Sequence, residues 1–175
     1  AHIFDTNLEG ADLREAYLGQ AEMQRSNLKG AKLKKANLEQ VDLQDAKLKG
    51  ADLTEAYLEY TDFRGADLQG ANFENANLKG ANLKGANLEG NNLKGANLTN
   101  TKLSAADLTN ADLWGNNLQG AVLYKAKLRR VNAQYADFQG ANLEKANLQG
   151  AILYKANLEG VNLHETNLKG ANLRG

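Results

Sequence analysis

A five-residue word governs this chain. It is cleanest at residues 76–98, ANLKG ANLKG ANLEG NNLKG ANL, and the remainder repeats it with substitutions. Set as small, polar, Leu, x, x from Ala1, the register runs through all 175 residues without insertion or deletion. The third position is Leu except at Ile3, Met23, Phe63, Phe73, Ala133 and Phe138, while the first is mostly Ala and the second mostly Asn or Asp. Self-similarity at a short fixed period marks a solenoid. On an α-helix, Leu every fifth residue would advance by about 140° and form no stripe. On a flat strand an odd period would send successive leucines to opposite faces. Within one word, however, the first and third positions can share a strand face. The chain must therefore turn once per word, across the fourth and fifth positions.

Glycine marks that corner. Every glycine except Gly19 stands at the fifth position, where a type II turn needs positive φ. The glycines favour alternate corners, which predicts corners of two kinds and an even number of sides per coil. Charges suggest four sides. Opposite charges alternate at a spacing of twenty in three columns: Asp5, Arg25, Asp45; Asp12, Lys32, Asp52; Glu15, Lys35, Glu55. Four words per coil would stack these side chains as cross-strand neighbours, where opposite charges are favoured.

The A(D/N)LxG word, sustained over the whole chain, resembles the pentapeptide repeat family. That resemblance implies an all-β fold, a right-handed quadrilateral β-helix with Leu and the small residue inward. It implies about nine coils of four pentapeptides, a rod about 40 Å long at roughly 4.8 Å per coil. Residues 1–175 read as a single repeat domain with no caps evident. The repeats run to the last residue and no initiator Met opens the chain. The chain therefore reads as a fragment, as an engineered or trimmed domain, or as a protein that stacks on itself end to end.

Charge narrows the function. Lys plus Arg and Asp plus Glu number 21 each, so net charge is zero and gives no general pull toward nucleic acid or anionic membrane. No apolar run has the length of a membrane span, and without Cys there is no disulfide or thiol chemistry. Zero Pro suits a backbone whose N–H groups are wanted by ladders between coils. The two histidines, His2 and His164, and the two serines, Ser26 and Ser104, assemble no catalytic constellation. No enzyme, no cofactor and no metal are expected. The expected role is a non-enzymatic scaffold that binds another protein or itself. The alternative implied by the resemblance is a DNA mimic that binds DNA gyrase or topoisomerase; zero net charge and the lack of a C-terminal dimer module weigh against it.

Departures from the word supply the candidate sites. Glu22, Asp42 and Asp62 form a carboxylate row that reads as solvated, with a shared Ca²⁺ as the sharper reading. Tyr17 and Tyr57 read as surface packing. Asn91 and Asn116 replace the small inward residue and should find partners in side-chain amides at equivalent turns. Ala133 replaces a core Leu, a defect expected to be covered by a ring or a backbone shift. Near it, Trp114, Tyr124, Tyr135 and Tyr154 fall on outward positions and form a candidate partner-contact patch, since grouped exposed aromatics mark interfaces.

Overall fold

The computed structural model describes all 175 residues and contains no helix. Its repeating unit follows from what each position in the word can do. The third residue turns inward, and the N–H of the next word's first residue donates to its carbonyl, as Ala36 does to Leu33 at 3.0 Å. The fifth residue has positive φ in every word. Each word thus makes one short bridge and one corner.

Successive coils pair in parallel with an offset of twenty residues, from His2↔Glu22 to Ile152↔Asn172. A regular word makes three ladder bonds with the coil above it. Leu33 N–H donates upward to Asp52 at 2.7 Å, Lys35 N–H upward to Thr54 at 3.0 Å, and Asp52 N–H downward to Ala31 at 2.9 Å. Four words per coil define four faces. The first face holds the words that begin at residues 1, 21 and 41, and the others follow in chain order.

The core is the pile of inward third and first positions. From Ala21 to Leu153 these leucines and alanines are fully buried in one continuous cluster. Phe63 and Phe73, on opposite faces of one coil, meet edge to face with centroids 6.4 Å apart. Toward both ends, leucines such as Leu8 and Leu163 are half-buried.

The preference for Asn or Asp at position two has a local cause. Its side-chain oxygen accepts the N–H two residues on, as Asn97 does from Thr99 at 3.1 Å, and fixes the approach to the corner. Asn keeps its amide hydrogens for the coil below, so Asn97 donates to Asn77 at 3.1 Å and Asn92 to Asn72 at 3.0 Å.

Two expectations need correction. The corners are of one kind: Lys35, Tyr60, Ala105 and Lys125 take the same left-handed conformation as the glycines. The inter-coil ladders impose that conformation whatever residue stands there, and glycine merely lowers its cost of about 1–2 kcal/mol. The charge columns do stack, but only some of their members pair. Arg25 binds Asp5, and Lys35 binds Glu55 at 3.5 Å. Asp12 turns instead to Arg14 in its own word at 2.6 Å.

Candidate functional site: an aromatic corner beside a disturbed core

A side chain recurs at one corner only when its residues lie near multiples of twenty apart. Trp114, Tyr135 and Tyr154 meet that condition at the corner after the third face. Their rings form an edge-to-face ladder, with centroids 5.7 Å apart at both steps. Lys94 lies 5.3 Å over the Trp114 ring and Lys155 lies 5.4 Å over Tyr154. Trp114 is 41% exposed and Tyr135 48%, while Tyr154 is half-buried, so two of the three rings stand open to solvent. Edge-to-face pairs contribute about 0.5–1.5 kcal/mol beyond their buried area.

Tyr124 stands apart. It lies half a coil from this corner, after the first face, under Lys125 at 5.2 Å and Lys145 at 5.8 Å. There it borders a separate surface hollow of about 510 Å³ with Val122, Lys84, Lys102 and Lys125. Nearness in sequence placed it in the patch; the four-sided coil puts it at the opposite corner.

The core is irregular near the third face, at Asn116 directly after the aromatic corner and at Asn91 at the start of that face one coil below. Asn91 and Asn116 are buried, and neither Oδ1 nor Nδ2 of either has a hydrogen-bond partner. The expected pairing with other turn amides does not occur. Above and below Asn91 stand Ala71 and Ala111, and around Asn116 stand Ala96 and Ala136, none of which offers a polar side chain. Hydroxyls at the same position fare better, because they reach back to a corner carbonyl. Ser26 donates to Met23 at 2.7 Å, Thr61 to Leu38 at 2.6 Å, and Thr101 to Leu98 at 2.8 Å.

The two asparagines also disturb the backbone. Every position-two amide from Glu22 to Asn172 donates to the coil below except those of Asn92 and Asn117, each directly after a buried asparagine. Gly95 N–H to Trp114 carbonyl, at 3.3 Å, is the longest upward bond in the stack. That stretched bond lies beside Asn116; at the corner before Asn91 the matching bond, Gly90 N–H to Thr109 carbonyl, keeps an ordinary 3.0 Å, so the disturbance the two asparagines share is the lost bond of the next amide. This signal was absent from the sequence reading, which identified the polar substitution but not its effect on the ladder.

Ala133 is fully buried, and no hollow borders it. Tyr135 points outward and does not cover it. The large ring of its coil is Phe138, one word on, which shares the same layer of inward side chains with Leu123 and Leu128. The corner bond Ala136 N–H to Ala133 carbonyl, at 3.3 Å, is the longest at any alanine corner, so the backbone also gives.

Elsewhere many of the surface carboxylates are satisfied by their neighbours. Glu22 pairs with His2, Asp42 accepts from Gln24 and Gln44, and Asp62 pairs with Arg64, so the carboxylate row is divided among neighbours rather than converging. A side-chain hydrogen bond from Arg14 holds the Asp12 carboxyl down at about 2. Burial raises the Asp107 carboxyl, but bonds from Thr109 and Lys127 bring it below its ordinary value. His164 lies 3.5 Å from Glu165, while Glu144 pairs with Lys145. Tyr17 is 91% exposed and packs on little, whereas Tyr57 is half-covered.

Known proteins give the frame for these features. The family model for pentapeptide repeats matches in segments that together span residues 1–175. HetL, a pentapeptide repeat protein involved in heterocyst differentiation regulation in the cyanobacterium Nostoc sp. strain PCC 7120, is similar at 34% identity. That alignment covers 97% of this chain and 86% of HetL, with a TM-score of 0.63. A trypsin-treated form of QnrB1, a plasmid-mediated fluoroquinolone resistance protein, shares the fold at 22% identity. It covers 95% of this chain and 90% of QnrB1, with a TM-score of 0.52. No curated protein sequence matches.

Proposed function

The chain belongs to the pentapeptide repeat family, whose fold is the right-handed quadrilateral β-helix, and from that premise we propose that it is a non-enzymatic scaffold for protein binding. Proteins of this family act in general as structural and interaction proteins. Residues 1–175 serve as one cooperative stack, because each word depends on the coils above and below it for its backbone bonds. The contact surface is the corner carrying Trp114, Tyr135 and Tyr154. The observation that carries this reading is one ordered ladder of three large rings, two of them, Trp114 and Tyr135, exposed and the third, Tyr154, half-buried. Exposed aromatic clusters of that kind mark interfaces, where Trp and Tyr dominate binding energy.

The test is capture of partners by the intact chain and by a Trp114→Ala/Tyr154→Ala variant. The variant should lose its partner while keeping its melting temperature to within a few degrees. Unchanged capture would sink the assignment of this corner. A gyrase supercoiling assay addresses the DNA-mimic alternative, which has the fold likeness to QnrB1 in its favour and the neutral charge against it. Inhibition by the intact chain would reverse the ranking.

A further inference from the structure

Charge balances over the chain as a whole but not face by face: lysines gather without carboxylates on the first face around Lys84, Lys102 and Lys125, and a second cationic excess, with guanidinium groups, lies on the third face. Between residues 109 and 170 this face and its two corners carry Arg129, Arg130, Lys155 and Lys169. None of the four makes an ion pair with a carboxylate. The single carboxylate in that area is Asp112. It is already engaged, accepting the Trp114 N–H at 3.1 Å and the Asn132 side-chain amide at 3.0 Å. Arg129, Arg130 and Lys169 border a hollow of about 290 Å³ at one corner, opened by the bare Gly150 and Gly170. The aromatic ladder, with Lys94 and Lys155 on its rings, lines the other corner. Exposed Ile152 lies on the face between them.

Resting on the scaffold reading above, we propose that the partner is an acidic polypeptide segment. It lies across the third face, with its carboxylates at Arg129, Arg130 and Lys169 and its apolar groups against Ile152 and the Trp114–Tyr135–Tyr154 ladder. Charge complementarity selects the occupant: the unpaired cations of the third face, set beside the aromatic ladder, attract and orient a partner of opposite sign. Guanidinium groups suit the task because they bind carboxylates in a bidentate fork. A single-stranded nucleic acid would also be attracted, but it needs ring faces on which bases can stack. Here the rings meet one another edge to face, and the faces of Trp114 and Tyr154 lie under lysines. The observations therefore favour the polypeptide.

Trp114 is the only tryptophan and reports directly on this face. Titration of the intact chain with a short poly-L-glutamate should change Trp114 emission saturably, and the change should fade at high salt. Arg129→Gln/Arg130→Gln should weaken binding about tenfold, the loss expected for two exposed charge pairs. Lys84→Gln/Lys102→Gln, which removes two cations from the first face, should leave binding unchanged. No saturation, equal loss in both variants, or tighter binding of an oligothymidylate would overturn the proposal. If the arginine variant still captures its partner through Trp114 and Tyr154, the acidic class fails while the scaffold reading stands.

Discussion

Residues 21–60 and residues 91–140 are wound on the same ladder, yet they differ in how their buried polar residues are satisfied. In the first stretch the one fully buried polar residue, Ser26, is bonded, a single carboxylate oxygen of half-buried Glu59 is left without a partner, and charges such as Lys34 and Lys35 meet Glu55 on the surface. In the second, two buried amides are orphaned, two ladder bonds are missing, and a core leucine has become alanine. The same stretch carries Trp114 and Tyr135 outside, with Arg129 and Arg130 unpaired. The contrast teaches that the inward first position discriminates by reach rather than by polarity. A hydroxyl is short enough to bond the corner carbonyl beside it. The longer amide of Asn91 or Asn116 makes no such bond, and neither of its polar atoms finds a partner.

The difference should be largest at the orphaned amides. Asn91→Ala restores the residue of its column and frees Asn92 N–H to rejoin Ala71. The variant should gain about 3 kcal/mol, the cost of leaving the two polar ends of a buried amide unmade. Denaturant unfolding measures it, and a loss of stability would mean that the amide has a partner inside the coil. Next comes the layer of Ala133. Ala133→Leu alone should overpack beside Phe138 and cost about 2 kcal/mol, while adding Phe138→Leu should recover most of that loss. Additive losses in the double-mutant cycle would break the claimed compensation.

A smaller effect should appear at any corner that lacks glycine. Ala105 is exposed with φ of +56°, so Ala105→Gly should stabilise by about 1 kcal/mol. Gly80→Ala should do the reverse, since its new Cβ would lie 2.6 Å from the Tyr60 ring. The smallest effect concerns pH. The Asp12 carboxyl is depressed from 3.8 to about 2, so its interaction with Arg14 is fully present above the unfolded value of 3.8 and is lost as pH falls through about 2. A carboxyl NMR titration should show Arg14→Ala returning Asp12 toward 3.8, with little change in folding at neutral pH.

Much of the architecture could be read from the order of residues. Leu at a strict period of five with no insertions leaves few ways to bury a core, and Asp12, Lys32 and Asp52 already pointed to twenty residues per coil. Corner conformation was read less well. Glycine's distribution suggested two kinds of corner, but Lys35 and Tyr60 are held in the same conformation by their neighbours' ladders. The candidate site was half legible: Trp114, Tyr135 and Tyr154 converge, whereas Tyr124 lies ten residues from Gln134 and so half a coil away.

The sequence by itself determined the word, the register and which residues share a column, because each depends on spacing along one chain. The tertiary stack decided which buried polar groups find partners, which ladder bonds are lost beside Asn91 and Asn116, and which cations on the third face remain without a carboxylate. Those outcomes depend on distances of a few ångströms between residues twenty apart. Whether two groups meet across such a gap is settled by packing, not by their order along the chain.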